Sequence, residues 1–114
     1  MSTQPTLDMD QAGAFAFKVL GDVTAGQMGT LIAIADRLGL WRHLAEGGSA
    51  TSAAFAARAG IAERYAREWL SALACHGYVA YDDGTKAFSL SPEHAFVLAD
   101  PDSPFYLATV FPMI

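Results

Sequence analysis

The chain has 114 residues, enough for one ordinary domain, and 53% of them are apolar while only 17% carry charge. That is more apolar material than a core of this size hides, so part of the surplus is expected at an interface. Twelve acids against seven bases give a formal net charge of -5, which works against binding to nucleic-acid phosphates.

Cys75 is the only cysteine, so no disulfide forms within the chain, and it reads as a small buried hydrophobe. The opening MSTQPTLDMD lacks the basic and apolar regions of a secretion signal. The apolar-biased run between Asp22 and Asp36 falls well short of the ~20 residues that a membrane span needs. A soluble cytoplasmic protein without a membrane partner is expected.

Residues 1–9 read as a loose polar tail, and residues 10–40 as helical. Phe17, Leu20, Thr24, Met28, Leu31, Ala35 and Leu38 recur at intervals of three and four and so share a face. Phe15, Val19, Val23, Ile32 and Ile34 widen that stripe. Gly21, Gly26 and Gly29 each cost about 1 kcal/mol relative to alanine, so two helices meeting near residues 21–26 are expected. Within this region Phe15, Phe17, Val23, Met28, Leu31 and Ile32 are the candidates for a dimer or substrate-side surface. The rival for the same residues is ordinary core packing.

The core of the domain is placed at residues 41–98. Gly39 ends the first region and Trp41–Leu44 forms a short helical turn. Thr51 or Ser52 caps a helix over 53–58 that stops at Gly60. Ala62 or Glu63 opens a helix to about His76, burying Tyr65, Trp69, Leu70 and Leu73, with Gly77 just beyond its end. Strands are expected at 78–81 and 87–90, joined through Asp82-Asp83-Gly84. Ser91 caps a helix with Pro92 in its first turn. Residues 99–114 are expected to form a linker and the start of another helix. Helix, short helix, tight turn, longer helix, hairpin is the order of a winged helix-turn-helix, so a mainly α fold with a small β wing is expected.

Little in this pattern supports chemistry. A DNA-reading helix would offer Glu63, Arg64, Arg67, Glu68 and Ser71, where the glutamates oppose the arginines. The wing holds Asp82 and Asp83 against one Lys86. Cys75 and His76 are adjacent and point about 100° apart on a helix, a poor start for a metal site. His43 and His94 have no ligand partner at helical spacing. No nucleophile sits beside a base, and no Gly-rich phosphate loop follows a strand. No catalytic, cofactor-binding or metal-ligating residue is assigned.

Three strings carry a resemblance: residues 20–48 (LGDVTAGQMGTLIAIADRLGLWRHLAEGG), 51–83 (TSAAFAARAGIAERYAREWLSALACHGYVAYDD) and 88–108 (FSLSPEHAFVLADPDSPFYLA). Together they resemble the N-terminal winged-helix domain of bacterial class I S-adenosylmethionine-dependent methyltransferases. The most specific pieces are DRLGLW, AGIAERYAREWL and ADPDSP. The resemblance implies a homodimerising, substrate-covering domain, with S-adenosylmethionine held by a separate catalytic domain and a small molecule as methyl acceptor. The apolar close at Phe111-Pro112-Met113-Ile114 adds the expectation of a fragment of a longer enzyme. Two alternatives stand beside this reading: a dimeric winged-helix transcription regulator and a non-catalytic small-molecule-binding adaptor.

Overall fold

The computed structural model describes residues 6–110. The first element is one helix, α1 (Met9–Leu38), rather than two. Asp8 caps it, its carboxylate accepting from the backbone N–H groups of Asp10 at 3.0 Å and Gln11 at 3.2 Å. Gly39 ends it with φ at 70°, a left-handed conformation suited to glycine.

The glycines do not divide α1 because a cost near 1 kcal/mol lowers helix propensity without removing a hydrogen bond, as proline would. Local pairs also bridge the weak points. The Lys18 ammonium reaches the Asp22 carboxylate at 3.0 Å, one turn across Gly21. The Thr24 hydroxyl donates to the Leu20 carbonyl at 2.8 Å. Farther along, Gly29 is buried and closes onto the core.

Four short elements follow: α2 (Leu40–Gly47), β1 (Ala50–Thr51), α3 (Ser52–Ala59) and α4 (Glu63–Cys75). Thr51 is both the last residue of β1 and the cap of α3, its hydroxyl accepting from the Ala54 N–H at 3.2 Å. Gly60 turns the chain with φ at 73° between the two helices of the helix-turn-helix. The Ser52 hydroxyl donates to Glu63 at 2.6 Å and ties the start of α3 to the start of α4. Gly77, at φ 77°, lies past the end of α4.

The wing is β2 (Ala80–Asp82) and β3 (Ala87–Ser89), leading to α5 (Pro92–Leu98) capped by Ser91. The sheet has one strand more than the sequence suggests. Its order is β1-β3-β2, antiparallel throughout, with Ala50 opposite Phe88 and Tyr81 opposite Phe88 on the other side. A two-residue strand has no pattern of its own and exists only through its partner. After α5 the described chain forms turns through residue 110; residues 111–114, where the expected helix start partly falls, and the first five residues lie outside the description.

Leu40, Leu44, Phe55, Leu70 and Leu73 are fully buried where α2, α3 and α4 meet. Trp69 sits among them, 5.1 Å from Trp41 and 5.7 Å from Phe55 between ring centroids. Tyr65 departs from expectation: at 41% exposure it lies outside this core, and Tyr81 and Cys75 are exposed as well. Helical spacing gave Tyr65 a core-facing position, but the first turn of α4 leaves its side chain exposed.

α1 reaches this core only with its C-terminal part. Residues 9–27 are exposed apart from the half-buried Thr24, and burial begins at Met28. The radius of gyration is 18.5 Å, against about 13 Å for a compact chain of this length. The helix projects.

Candidate interaction surface and ligand groove

The apolar stripe of α1 has two fates. From Met28 onward it joins the core: Met28 is 5% exposed, Ala35 is fully buried, and Leu31 and Ile32 are partly buried against the same cluster. Before Met28 the same stripe is mostly open, with Phe17, Leu20 and Thr24 bordering a cavity shared with His76. Phe17 is 78% exposed and Val23 53%, with Phe15, Val19 and Leu20 also open. Of the six candidate surface residues, Phe15, Phe17 and Val23 are therefore on the projecting part, Leu31 and Ile32 on its inner margin, and Met28 inside. A row of large apolar side chains on one helix is too much to leave in water without a partner surface.

Where α1 enters the domain, a groove runs beside it. Three cavities of about 330, 400 and 430 Å³ lie along it and share lining residues. His76 borders all three, and Ile32, Tyr78 and Leu107 border two. Among the described residues, none of the side chains lining them is Asp, Glu, Lys or Arg. The polar groups are few, and one is fixed: His94 Nδ1 lies 2.6 Å from the Tyr78 carbonyl oxygen. That carbonyl lies sixteen positions back in the chain, beyond any helical spacing. Leu107 and Val110 were likewise invisible as groove walls, since only the fold of the last turns brings them to α1.

A separate cavity of about 310 Å³ lies at the other side of the α1 terminus, bordered by Asp36, Trp41, Arg42, Leu98 and Tyr106 among others. The Tyr106 hydroxyl donates to Asp36 at 3.1 Å. Burial raises the Tyr106 hydroxyl above its usual range, and the Asp36 carboxylate, by hydrogen bond and charge, raises it further.

The outward face of α4 is occupied with itself. Arg64 pairs with Glu68 at 3.3 Å and Arg67 with Glu63 at 4.0 Å, while Lys86 on the wing meets Asp83 at 3.0 Å. The bases that a DNA-reading helix and wing would present to phosphates each have an acid beside them.

S-adenosylmethionine does not fit these residues. A nucleotide-type cofactor in an α/β fold rests on a glycine-rich turn between a strand and a helix, outside the ends of parallel strands. The described strands are two or three residues long and antiparallel, and the glycines with positive φ sit at helix ends and linkers.

The fold and surface define a winged helix-turn-helix domain with a projecting N-terminal helix. Residues 26–100 match the family described as the Rv2258c-like winged HTH domain, and the chain belongs to that family. No curated protein matches the chain. Among solved structures, PigF with SAH is similar at TM-score 0.67 and 25% identity, over 80% of this chain and 26% of that one. The mitomycin 7-O-methyltransferase MmcR is similar at TM-score 0.65 and 28% identity, over 87% of this chain and 31% of that one. CalO1, a methyltransferase in calicheamicin biosynthesis in its SAH-bound form, is similar at TM-score 0.60 and 25% identity, over 88% and 28%. These neighbours agree with the methyltransferase-type winged domain recognised from the sequence. The chain spans between 26 and 31% of their lengths.

Proposed function

We propose that this chain is the N-terminal dimerisation and substrate-covering domain of a small-molecule S-adenosylmethionine-dependent methyltransferase. In this reading it supplies no catalytic group. The observation that carries it is the apolar stripe of α1, which packs into the core from Met28 to Ala35 and is exposed over Phe15, Phe17, Leu20 and Val23. The open part is the self-association surface, and the inner part walls the substrate side.

Arg64, Arg67 and Lys86 of the winged core stand beside acids, and the net charge is -5, which favours this reading over a transcription regulator. The test is the intact product of the native gene. A mass well above 12.1 kDa together with calorimetric binding of S-adenosylmethionine is expected. A product of 12.1 kDa that holds duplex DNA at low salt, and releases it steeply as salt rises, would overturn the proposal in favour of regulation.

A further inference from the structure

His76 stands where the projecting helix meets the winged core. It caps the end of α4 and borders all three cavities along α1. Among the described residues, the 430 Å³ cavity is otherwise lined by α1 alone, through Phe17, Leu20, Gly21, Thr24 and Ala25. Phe17 and Leu20, at 78% and 61% exposure, also belong to the open stripe. A partner that covers the stripe there covers His76 with it.

No opposite charge stands in this place to hold an imidazolium. Among the described residues, no side chain lining the three cavities is a carboxylate. Lys18 and Asp22 are the charged groups of α1 on this stretch, and they hold each other at 3.0 Å. From α5 comes a second imidazole, His94, with Nδ1 2.6 Å from the Tyr78 carbonyl oxygen. Cys75 and Tyr78, close by in the chain, offer no carboxylate either.

From these features we infer that self-association through α1 is switched off by acid, with His76 as the switch: a second copy's α1 covers the neutral imidazole and is expelled by the imidazolium. The inference rests on the reading of α1 as the self-association surface and adds the regulation of that surface. In a twofold dimer both copies present the same patch, so apolar side chains rather than carboxylates meet His76. Taking an imidazolium out of water among them is costly without a counter-charge, whereas the neutral ring loses far less. Each dimer contains two such histidines, and protonation of either opposes the contact.

The test is sedimentation equilibrium of the full chain at about pH 8 and about pH 5.5, an interval in which an imidazole changes charge. Expected is a dimer at the higher pH whose dissociation constant rises at least roughly tenfold at the lower. His76 is exposed, so its substitution leaves the core in place, which circular dichroism checks. His76→Gln takes up no proton and is expected to stay dimeric at both pH values. His76→Lys carries its charge throughout and is expected to weaken the dimer at both. A dimer equally tight at both pH values, acid dissociation unchanged in His76→Gln, or a His76→Lys dimer as tight as the unaltered one at about pH 8 would each overturn this inference alone. A single-chain mass at both pH values overturns the self-association reading, and this inference with it.

Discussion

The Tyr106 hydroxyl donates to the Asp36 carboxylate at 3.1 Å, joining residues seventy positions apart. That bond fastens the turns after α5 to the last part of α1, beside the Trp41 indole that donates to the Ile32 carbonyl at 3.3 Å. Both contacts converge on the last turns of α1. Tyr106→Phe removes the bond while keeping the ring. A loss of about 0.5–1.5 kcal/mol in denaturant unfolding is expected.

The same pair sets a pH dependence. Burial and Asp36 raise the folded-state value of Tyr106 above 10.0, so the folded form keeps its proton longer than the unfolded one. Its contribution to stability is complete below pH 10 and is lost as pH rises through the folded-state value. Ultraviolet titration of the phenolate, with Tyr106→Phe subtracted, is expected to show one tyrosine ionising later than a free tyrosine.

The projecting helix depends on its cap. Asp8 accepts from two of the first N–H groups of α1, which have no partner inside the helix. Asp8→Ala is expected to cost about 0.5–2 kcal/mol at that end. Hydrogen exchange should quicken over the first turns of α1 and stay unchanged in α4.

Two glycines of α1 test the interface separately from the helix. A Cβ added at Gly21 or Gly26 meets no heavy atom within 4 Å. Gly21→Ala and Gly26→Ala are each expected to stabilise the helix by about 1 kcal/mol. If another backbone packs closely there in the dimer, the same methyl groups weaken association. More helix with a weaker dimer is the expected pair of results, read by circular dichroism and light scattering. Gly39→Ala acts oppositely, since its φ of 70° is strained for any Cβ and the cap of α1 is lost.

The domain core was legible where its signals are local. Gly39, Gly60 and Gly77 mark helix ends because left-handed backbone favours glycine, and Thr51 and Ser91 mark starts because their hydroxyls reach a nearby N–H. The pairing of Arg64 and Arg67 with acids one turn away was readable for the same reason. The unity of α1 was not, because glycine costs were weighed without the Lys18–Asp22 and Thr24–Leu20 contacts that bridge them. Met28 shows the deeper limit. Periodicity placed it on the same face as Phe17, yet only the packing of the winged core decides that one is buried and the other open. Cys75 and Tyr65 misled in the reverse direction. The groove was beyond reach, since His94 and Leu107 meet α1 through contacts that no spacing encodes.

The most direct measurement is sedimentation equilibrium of the chain beside its Phe17→Asp and Val23→Asp variants. Both side chains are exposed, so neither substitution disturbs the core. Twice the 12.1 kDa chain mass is expected for the unaltered protein and the single-chain mass for both variants, with helicity preserved. A single-chain mass for the unaltered protein, or a dimer indifferent to both aspartates, would contradict self-association through α1.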